Sequence, residues 1–229
     1  MYFDVYYLIF VVPAILLALW AQTSVQGTFK KYSEVMSSRG ITGYQAARRI
    51  LDANGLTNVI INRIPGNLSD HFDPKTNTVN LSEKVFDSCS VASIGVAAHE
   101  CGHAVQYSMG YTPMKIRSAI IPVTQIGSFL AMPLVLLGLV LSVPEIAYVG
   151  CIFFALATVF QLITLPVEFN ASSRAMASLG NMGILNEKEL NGSKKVLNAA
   201  AMTYVAALAV SLGQLLRLLF LVGNGRRRR

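Results

Sequence analysis

The sequence predicts a mainly α-helical membrane protein, with three to four transmembrane helices and an α+β domain that carries a small sheet. Three observations lead there. Of 229 residues, 53% are apolar and only 14% are charged, against about a quarter charged in an ordinary soluble domain. The apolar surplus is concentrated in four runs, Val5–Ala21, Ala119–Val143, Ile146–Pro166 and Thr203–Val222. Between them lie two water-compatible stretches, residues 22–118 and 167–202, where helical and strand-like patterns occur. The composition excludes disorder, and 17 Gly and 8 Pro without a period exclude a collagen-like chain. Cys89, Cys101 and Cys151 have no metal-ligand or CxxC spacing and give no disulfide framework.

A crossing helix needs about 17–25 predominantly apolar residues, and the first three runs meet this without a single charge. Residues 5–21 lack a basic n-region, and Ala21-Gln22-Thr23 is a poor cleavage site, so they read as a retained anchor. Residues 119–143 and 146–166 form a transmembrane hairpin. Residues 203–222 contain Gln214 and Arg217 and read either as a full span or as a re-entrant helix, with Arg217 snorkelling to the interface. Residues 223–229 are a basic tail, and Arg226 to Arg229 are expected to meet anionic headgroups.

Orientation follows from Lys and Arg. Lys30, Lys31, Arg39, Lys115, Arg117, Arg174, Lys188, Lys194 and Lys195 all fall in 22–118 or 167–202, whereas the N-terminus and the 142–145 hairpin carry none. The positive-inside rule places both stretches on the cytoplasmic side of a cell membrane, with the N-terminus outside. A complete fourth span would put the basic tail outside, against that rule. The net charge of +7 is read as the basic loops of a membrane protein, and no nucleic-acid partner is expected.

Within 22–118, the polar stretch Lys30–Gly40 is expected to leave the membrane as helix. Thr42-Gly43-Tyr44-Gln45 reads as a capping box before a helix with Ala46, Ala47, Ile50 and Leu51 on one face, stopped near Gly55. Asn58–Asn62 is β-branched and short, a strand, followed by the turn Pro65-Gly66-Asn67. Asp73–Asn77 is a second turn, leading into Thr78–Leu81, whose alternation predicts an edge strand. Ser82 is expected to cap a short helix over Glu83–Asp87, and Val91–Tyr107 reads as a longer one.

That last helix contains His99-Glu100-Cys101-Gly102-His103, a match to H-E-x-x-H. Residues i and i+4 share a helical face about 6 Å apart, so His99 and His103 can converge on one tetrahedral Zn²⁺. Glu100 projects beside the metal, where it can take a proton from a zinc-bound water. A catalytic zinc needs a third protein ligand and an open position. The extended metzincin pattern would put a His where Met109 stands, and no Asp follows Asp87. The later carboxylates are Glu145, Glu168, Glu187 and Glu189. Glu145 lies in the extracytoplasmic hairpin, while Glu187 and Glu189 read as an exposed helix start with Asn186 and Glu189 as cap partners. Glu168 directly follows the third span and is read as heading a helix. It is the expected third ligand, with a carboxylate at a helix N-terminus as the plainer alternative.

Val96–Gln106, Asp70-His-Phe-Asp-Pro74 with Val79–Ser82, and Glu168–Ala175 together resemble the bacterial YugP-type neutral zinc metallopeptidases, relatives of the HtpX-like membrane proteases. The resemblance covers nearly the whole chain. It implies a zincin-like catalytic domain of Glu-zincin type, with one zinc per chain on His99, His103 and Glu168 and Glu100 as general base. In the HtpX-like relatives an Asp four residues after the ligand Glu orients a ligand His. Ser172 stands there in this chain, so a carboxylate must come from elsewhere or Ser172 and Asn170 orient the ligands.

Two further residues have two readings each. His71 is either a proton donor to the tetrahedral oxyanion or a loop His held by Asp70 and Asp73. Arg174 either reaches the site or pairs with an acidic residue. Thr78–Leu81 is expected to bind an extended peptide by strand addition. Two function classes follow. One is a membrane-embedded zinc endopeptidase that hydrolyses membrane or misfolded proteins near the membrane surface by Glu-assisted attack of zinc-bound water. The other is a non-catalytic membrane scaffold that retains a zinc site. A closed structural site needs a fourth protein ligand, and no Cys is placed to supply one, which favours the enzyme.

Overall fold

The computed structural model describes residues 4–227, so Arg228 and Arg229 of the basic tail lie outside the described residues. Seven α-helices and three strands follow in the order α1 (Val12–Ser33), α2 (Gly43–Ala53), β1 (Ile60–Ile64), β2 (His71–Asp73), β3 (Thr78–Ser82), α3 (Glu83–Phe86), α4 (Val91–Ser108), α5 (Thr112–Val140), α6 (Pro144–Asn181) and α7 (Glu187–Arg227). A π-helical turn, Tyr7–Val11, leads into α1. The wider turn accommodates Pro13, which has no N–H to give to the ladder. The chain divides into two compact units, one of residues 1–22, 116–165 and 203–229, the other of residues 23–115 and 166–202.

The first unit holds the apolar runs. Among the described residues, four helices are long and apolar enough to cross a membrane, Tyr7–Ser33, Thr112–Val140, Pro144–Asn181 and Glu187–Gly223. The hairpin between α5 and α6 closes on Ser142 at φ 59°, with the Val143 N–H donating to the Gly138 carbonyl at 2.9 Å. Pro144 then opens α6, where a missing N–H costs nothing. Glycines let the two helices touch by backbone. A Cβ on Gly138 would stand 2.4 Å from the Ala147 nitrogen, and one on Gly150 would stand 2.7 Å from the Ala131 carbonyl oxygen. Small-residue contacts of this kind are how helices pack without a hydrophobic drive between them.

The end of α7 runs back beside the start of the chain. A Cβ on Gly213 would meet the Phe10 carbonyl oxygen at 2.3 Å, and Tyr6, Phe10 and Phe220 stack. Arg217 does not merely snorkel: its Nε donates to Asp4 Oδ2 at 2.6 Å, and its guanidinium lies over the Tyr7 ring. The fourth apolar run lies within one uninterrupted helix that is long and apolar enough to cross a membrane.

The second unit packs α2, α3, α4 and the polar parts of α1, α6 and α7 with a three-stranded sheet. Thr42 caps α2 through the expected box, accepting from the Gln45 N–H while Gln45 accepts from the Thr42 N–H. Ile50, Leu51, Leu81, Ile94, Ala97, Leu179 and Ile184 belong to one buried cluster. The strand order is β1-β3-β2, with β1 parallel and β2 antiparallel to β3.

Thr78–Leu81 is therefore a central strand and not the expected edge. Its polar residues are buried because neighbouring strands satisfy them. Asn62 donates to Asn80 Oδ1 at 3.1 Å, Asn80 Nδ2 meets the His71 ring at 3.2 Å, and the Ser82 hydroxyl donates to Asp70. That bond also explains why Ser82 opens α3 by its backbone angles but makes no side-chain cap.

Two helix starts differ from expectation as well. Glu168 does not head a helix: α6 runs unbroken through Pro166, so the helix-terminus alternative for this carboxylate falls away. Glu189 pairs with Asn186 as a cap, but it is buried at 7% exposure because it also accepts from the Ser38 N–H at 2.7 Å. Glu189→Ala leaves two backbone N–H groups without their acceptor. It is expected to destabilise this unit by about 1–3 kcal/mol without changing metal content, read as a lower melting midpoint with unchanged zinc stoichiometry.

Candidate metal centre

The site begins with α4. Ser90 caps this helix by accepting from the Ser93 N–H at 3.2 Å, and small residues (Ala92, Gly95, Ala97, Ala98, Gly102) let other elements approach it closely. Gly102 is decisive. A Cβ there would lie 2.6 Å from the Ala171 carbonyl oxygen, so α4 and α6 meet backbone to backbone in the middle of the H-E-x-x-H segment.

This contact brings Glu168 onto the two histidines. Glu168 Oε2 lies 3.3 Å from His99 Nε2 and 3.6 Å from His103 Nε2, and the three donor atoms fall within 4.8 Å of one another. Glu168 is 2% exposed and His103 8%, while His99 is half-buried. Burial alone would raise the Glu168 carboxyl, but the His103 and His99 imidazoles facing it outweigh that and hold the group well below the usual carboxylate range. Burial would likewise lower His103, yet the neighbouring carboxylates of Glu168 and Glu100 and the bond to Gln106 leave it raised. Two imidazole nitrogens and one carboxylate oxygen are the donor set of a zinc site with three protein ligands, so the residues present fit that metal.

The other ring nitrogens are occupied too. His99 Nδ1 meets the Ser172 hydroxyl at 3.1 Å, and His103 Nδ1 meets Gln106 Oε1 at 3.0 Å. Ser172 thus contacts the His99 ring directly, while Asn170 acts at one remove by accepting from Gln106 Nε2. Gln106 is a residue that motif reasoning missed. Its place three positions after His103, on the same helical face, was the available signal.

Glu100 is 8% exposed and stands on α4 between His99 and His103. Its Oε2 accepts from the Phe72 N–H at 3.0 Å, which ties the edge strand β2 to the motif. Asp70 anchors the same strand, accepting from the Ser82 N–H at 2.7 Å. Burial raises the Asp70 carboxyl, the Ser82 bonds oppose that, and the Glu100 charge adds to the rise. Cys101 points away, its thiol toward the Ala47 carbonyl.

His71 and Arg174 do not join the metal cluster. His71 is exposed, with Nδ1 on the Ser69 carbonyl oxygen at 2.8 Å and Nε2 on Asn80. Both ring nitrogens are taken by the fold of β2. Arg174 Nε donates to Asn170 Oδ1 at 2.8 Å, and Nη1 reaches the Met109 sulfur.

Comparison with known proteins identifies the family. Residues 7–223 fit the model of a family described as "Putative neutral zinc metallopeptidase". The chain belongs to this family. One relative, named "Putative membrane protease YugP", comes from Bacillus subtilis (strain 168). It is 47% identical over 215 residues, covering 94% of this chain and 96% of the relative. No solved structure matches. The match spans residues 7–223 and so includes the four apolar helices and the candidate site of His99, His103 and Glu168.

Proposed function

We propose that this protein is a membrane-anchored zinc endopeptidase of Glu-zincin type that hydrolyses peptide bonds of membrane or misfolded proteins near the membrane surface. The convergence of His99, His103 and Glu168 within 4.8 Å carries the reading. His99 and His103 would hold one zinc through Nε2, and Glu168 through its carboxylate. Zinc so held supplies Lewis acidity, polarising a scissile carbonyl and acidifying water. Glu100 accepts the proton that the attacking water loses as its oxygen bonds the carbonyl carbon. It then delivers that proton to the amide nitrogen as the C–N bond breaks, leaving a carboxylate and an amine. The Phe72 N–H keeps one Glu100 oxygen fixed in direction while Oε1 does the proton work.

An extended peptide fits β2 better than β3. Both sides of β3 are paired within the sheet, whereas β2 is an edge strand directly bonded to Glu100. Strand addition on β2 would lay the substrate backbone beside the general base.

Glu168→Ala is the test. It is expected to lower zinc affinity at least 100-fold and abolish casein cleavage. Glu187→Ala, an exposed carboxylate at the start of α7, is expected to leave both unchanged. Full zinc retention in Glu168→Ala would remove the third ligand and the Glu-zincin assignment with it.

The active site is proposed to face the cytoplasm, on the Lys and Arg distribution. Single cysteines at the exposed positions Ser38 and Lys188, in a background without the native three, are expected to resist a membrane-impermeant reagent in intact cells and to react after lysis. Reaction of both in intact cells would invert the topology.

A further inference from the structure

Gln106 is fully buried, and its side chain ends in three hydrogen bonds. Nε2 lies 2.8 Å from the Val167 carbonyl oxygen and 3.0 Å from Asn170 Oδ1, and Oε1 lies 3.0 Å from His103 Nδ1. The chemistry of the partners fixes which end is which. A backbone carbonyl only accepts, so the amide NH₂ must face Val167. The amide oxygen therefore faces the imidazole, and because that oxygen also only accepts, His103 Nδ1 must carry the hydrogen. The lone pair of the neutral ring is then on Nε2, the nitrogen that faces Glu168.

Asn170 completes the chain in the same sense. Its Oδ1 accepts from Gln106 Nε2 and from Arg174 Nε, two donors on one oxygen. A flip of the Asn170 amide would point its NH₂ at a guanidinium that has no acceptor to offer. Arg174 thereby locks Asn170, Asn170 locks Gln106, and Gln106 sets the ring. The same amide holds the backbone of Val167, the residue immediately before Glu168.

We infer that Gln106 is a positioning residue that holds His103 in the Nδ1–H tautomer before any metal arrives and ties that imidazole to the backbone beside Glu168. The inference rests on the zinc-site reading above, and it assigns the relay Arg174–Asn170–Gln106–His103 a purpose the H-E-x-x-H motif alone does not contain. Ser172 contacts His99 Nδ1 separately, so the two imidazoles are set by different partners.

The test reads the tautomer directly. The chain has only three histidines, so long-range ¹H–¹⁵N spectra of the metal-free, full-length protein in detergent resolve each ring. At alkaline pH, where the imidazoles are neutral, wild-type His103 is expected in the Nδ1–H form, the reverse of the preference of a free histidine side chain. Gln106→Met keeps the volume and removes all three bonds. It is expected to release that tautomer and weaken zinc binding about 10–100-fold, leaving His99 unchanged. Gln106→Glu, which restores an acceptor, is expected to recover the Nδ1–H form.

A wild-type His103 in the Nε2–H form would overturn the inference, and this measurement stands even if a variant does not fold. Wild-type zinc affinity in a folded Gln106→Met protein would overturn it equally. Because none of these readouts uses peptide cleavage, a protein with the expected tautomer but no hydrolysis would refute the peptidase reading and leave this one intact.

Discussion

Glu100→Gln is expected to bind one zinc per chain like the wild type while losing peptide hydrolysis by about 10²–10⁴-fold, the range a positioned general base contributes. The amide oxygen of Gln can still accept from the Phe72 N–H, so the contact between β2 and α4 survives. What disappears is the carboxylate that takes and returns the proton. The substitution also replaces a group that is 8% exposed with one of the same size, so no cavity or overpacking follows. Zinc content and casein cleavage measured on the same preparation separate the two effects. Loss of zinc would make Glu100 a ligand and would require the roles of Glu100 and Glu168 to be redrawn.

Gly102→Val is expected to have an effect of comparable size by a different route. No residue with a Cβ fits where α4 crosses α6, because the nearest atom, at 2.6 Å, is the backbone oxygen of Ala171 and cannot swing aside. Ordinary contact requires the helices to part by about 1 Å, an overpacking that costs about 1–3 kcal/mol. That separation carries Glu168 away from His99 and His103, which sit on the opposing helix. The expected result is a folded or partly destabilised protein with at least a 100-fold loss of zinc affinity and no cleavage. Gly180→Ala supplies the control. Its Cβ would meet only the end of Leu190 at 3.5 Å, an ordinary contact, so zinc affinity is expected to stay at the wild-type level. Wild-type zinc affinity in Gly102→Val would mean that the metal site does not depend on this backbone contact.

The parts of the molecule that were legible in the sequence are those set by local geometry. The two histidines and Glu100 follow from a four-residue helical repeat, and the Thr42–Gln45 box follows from cap chemistry. Glu168 could be selected because carboxylates are scarce after the motif. The misread parts depend on what packs against what. Thr78, Asn80 and Ser82 look like the wet face of an edge strand until Asn62, His71 and Asp70 arrive to satisfy them. The three-residue strand β2 was hidden by the turn signals of Asp73 and Pro74 around it. Gln106 is an ordinary polar residue on a helix until the Gly102–Ala171 contact carries Val167 and Asn170 to it. Asp4 and Arg217 are far apart in sequence, and only the antiparallel run of α7 beside the chain start makes them a pair.

The central claim is that cleavage depends on one zinc held by His99, His103 and Glu168. Titrating zinc into the chelator-stripped, full-length protein while following casein cleavage tests it most directly. Activity is expected to vanish on stripping and to return in proportion to occupancy, saturating at one zinc per chain. Cleavage that persists in the stripped protein, or that never appears at full zinc occupancy, would contradict it.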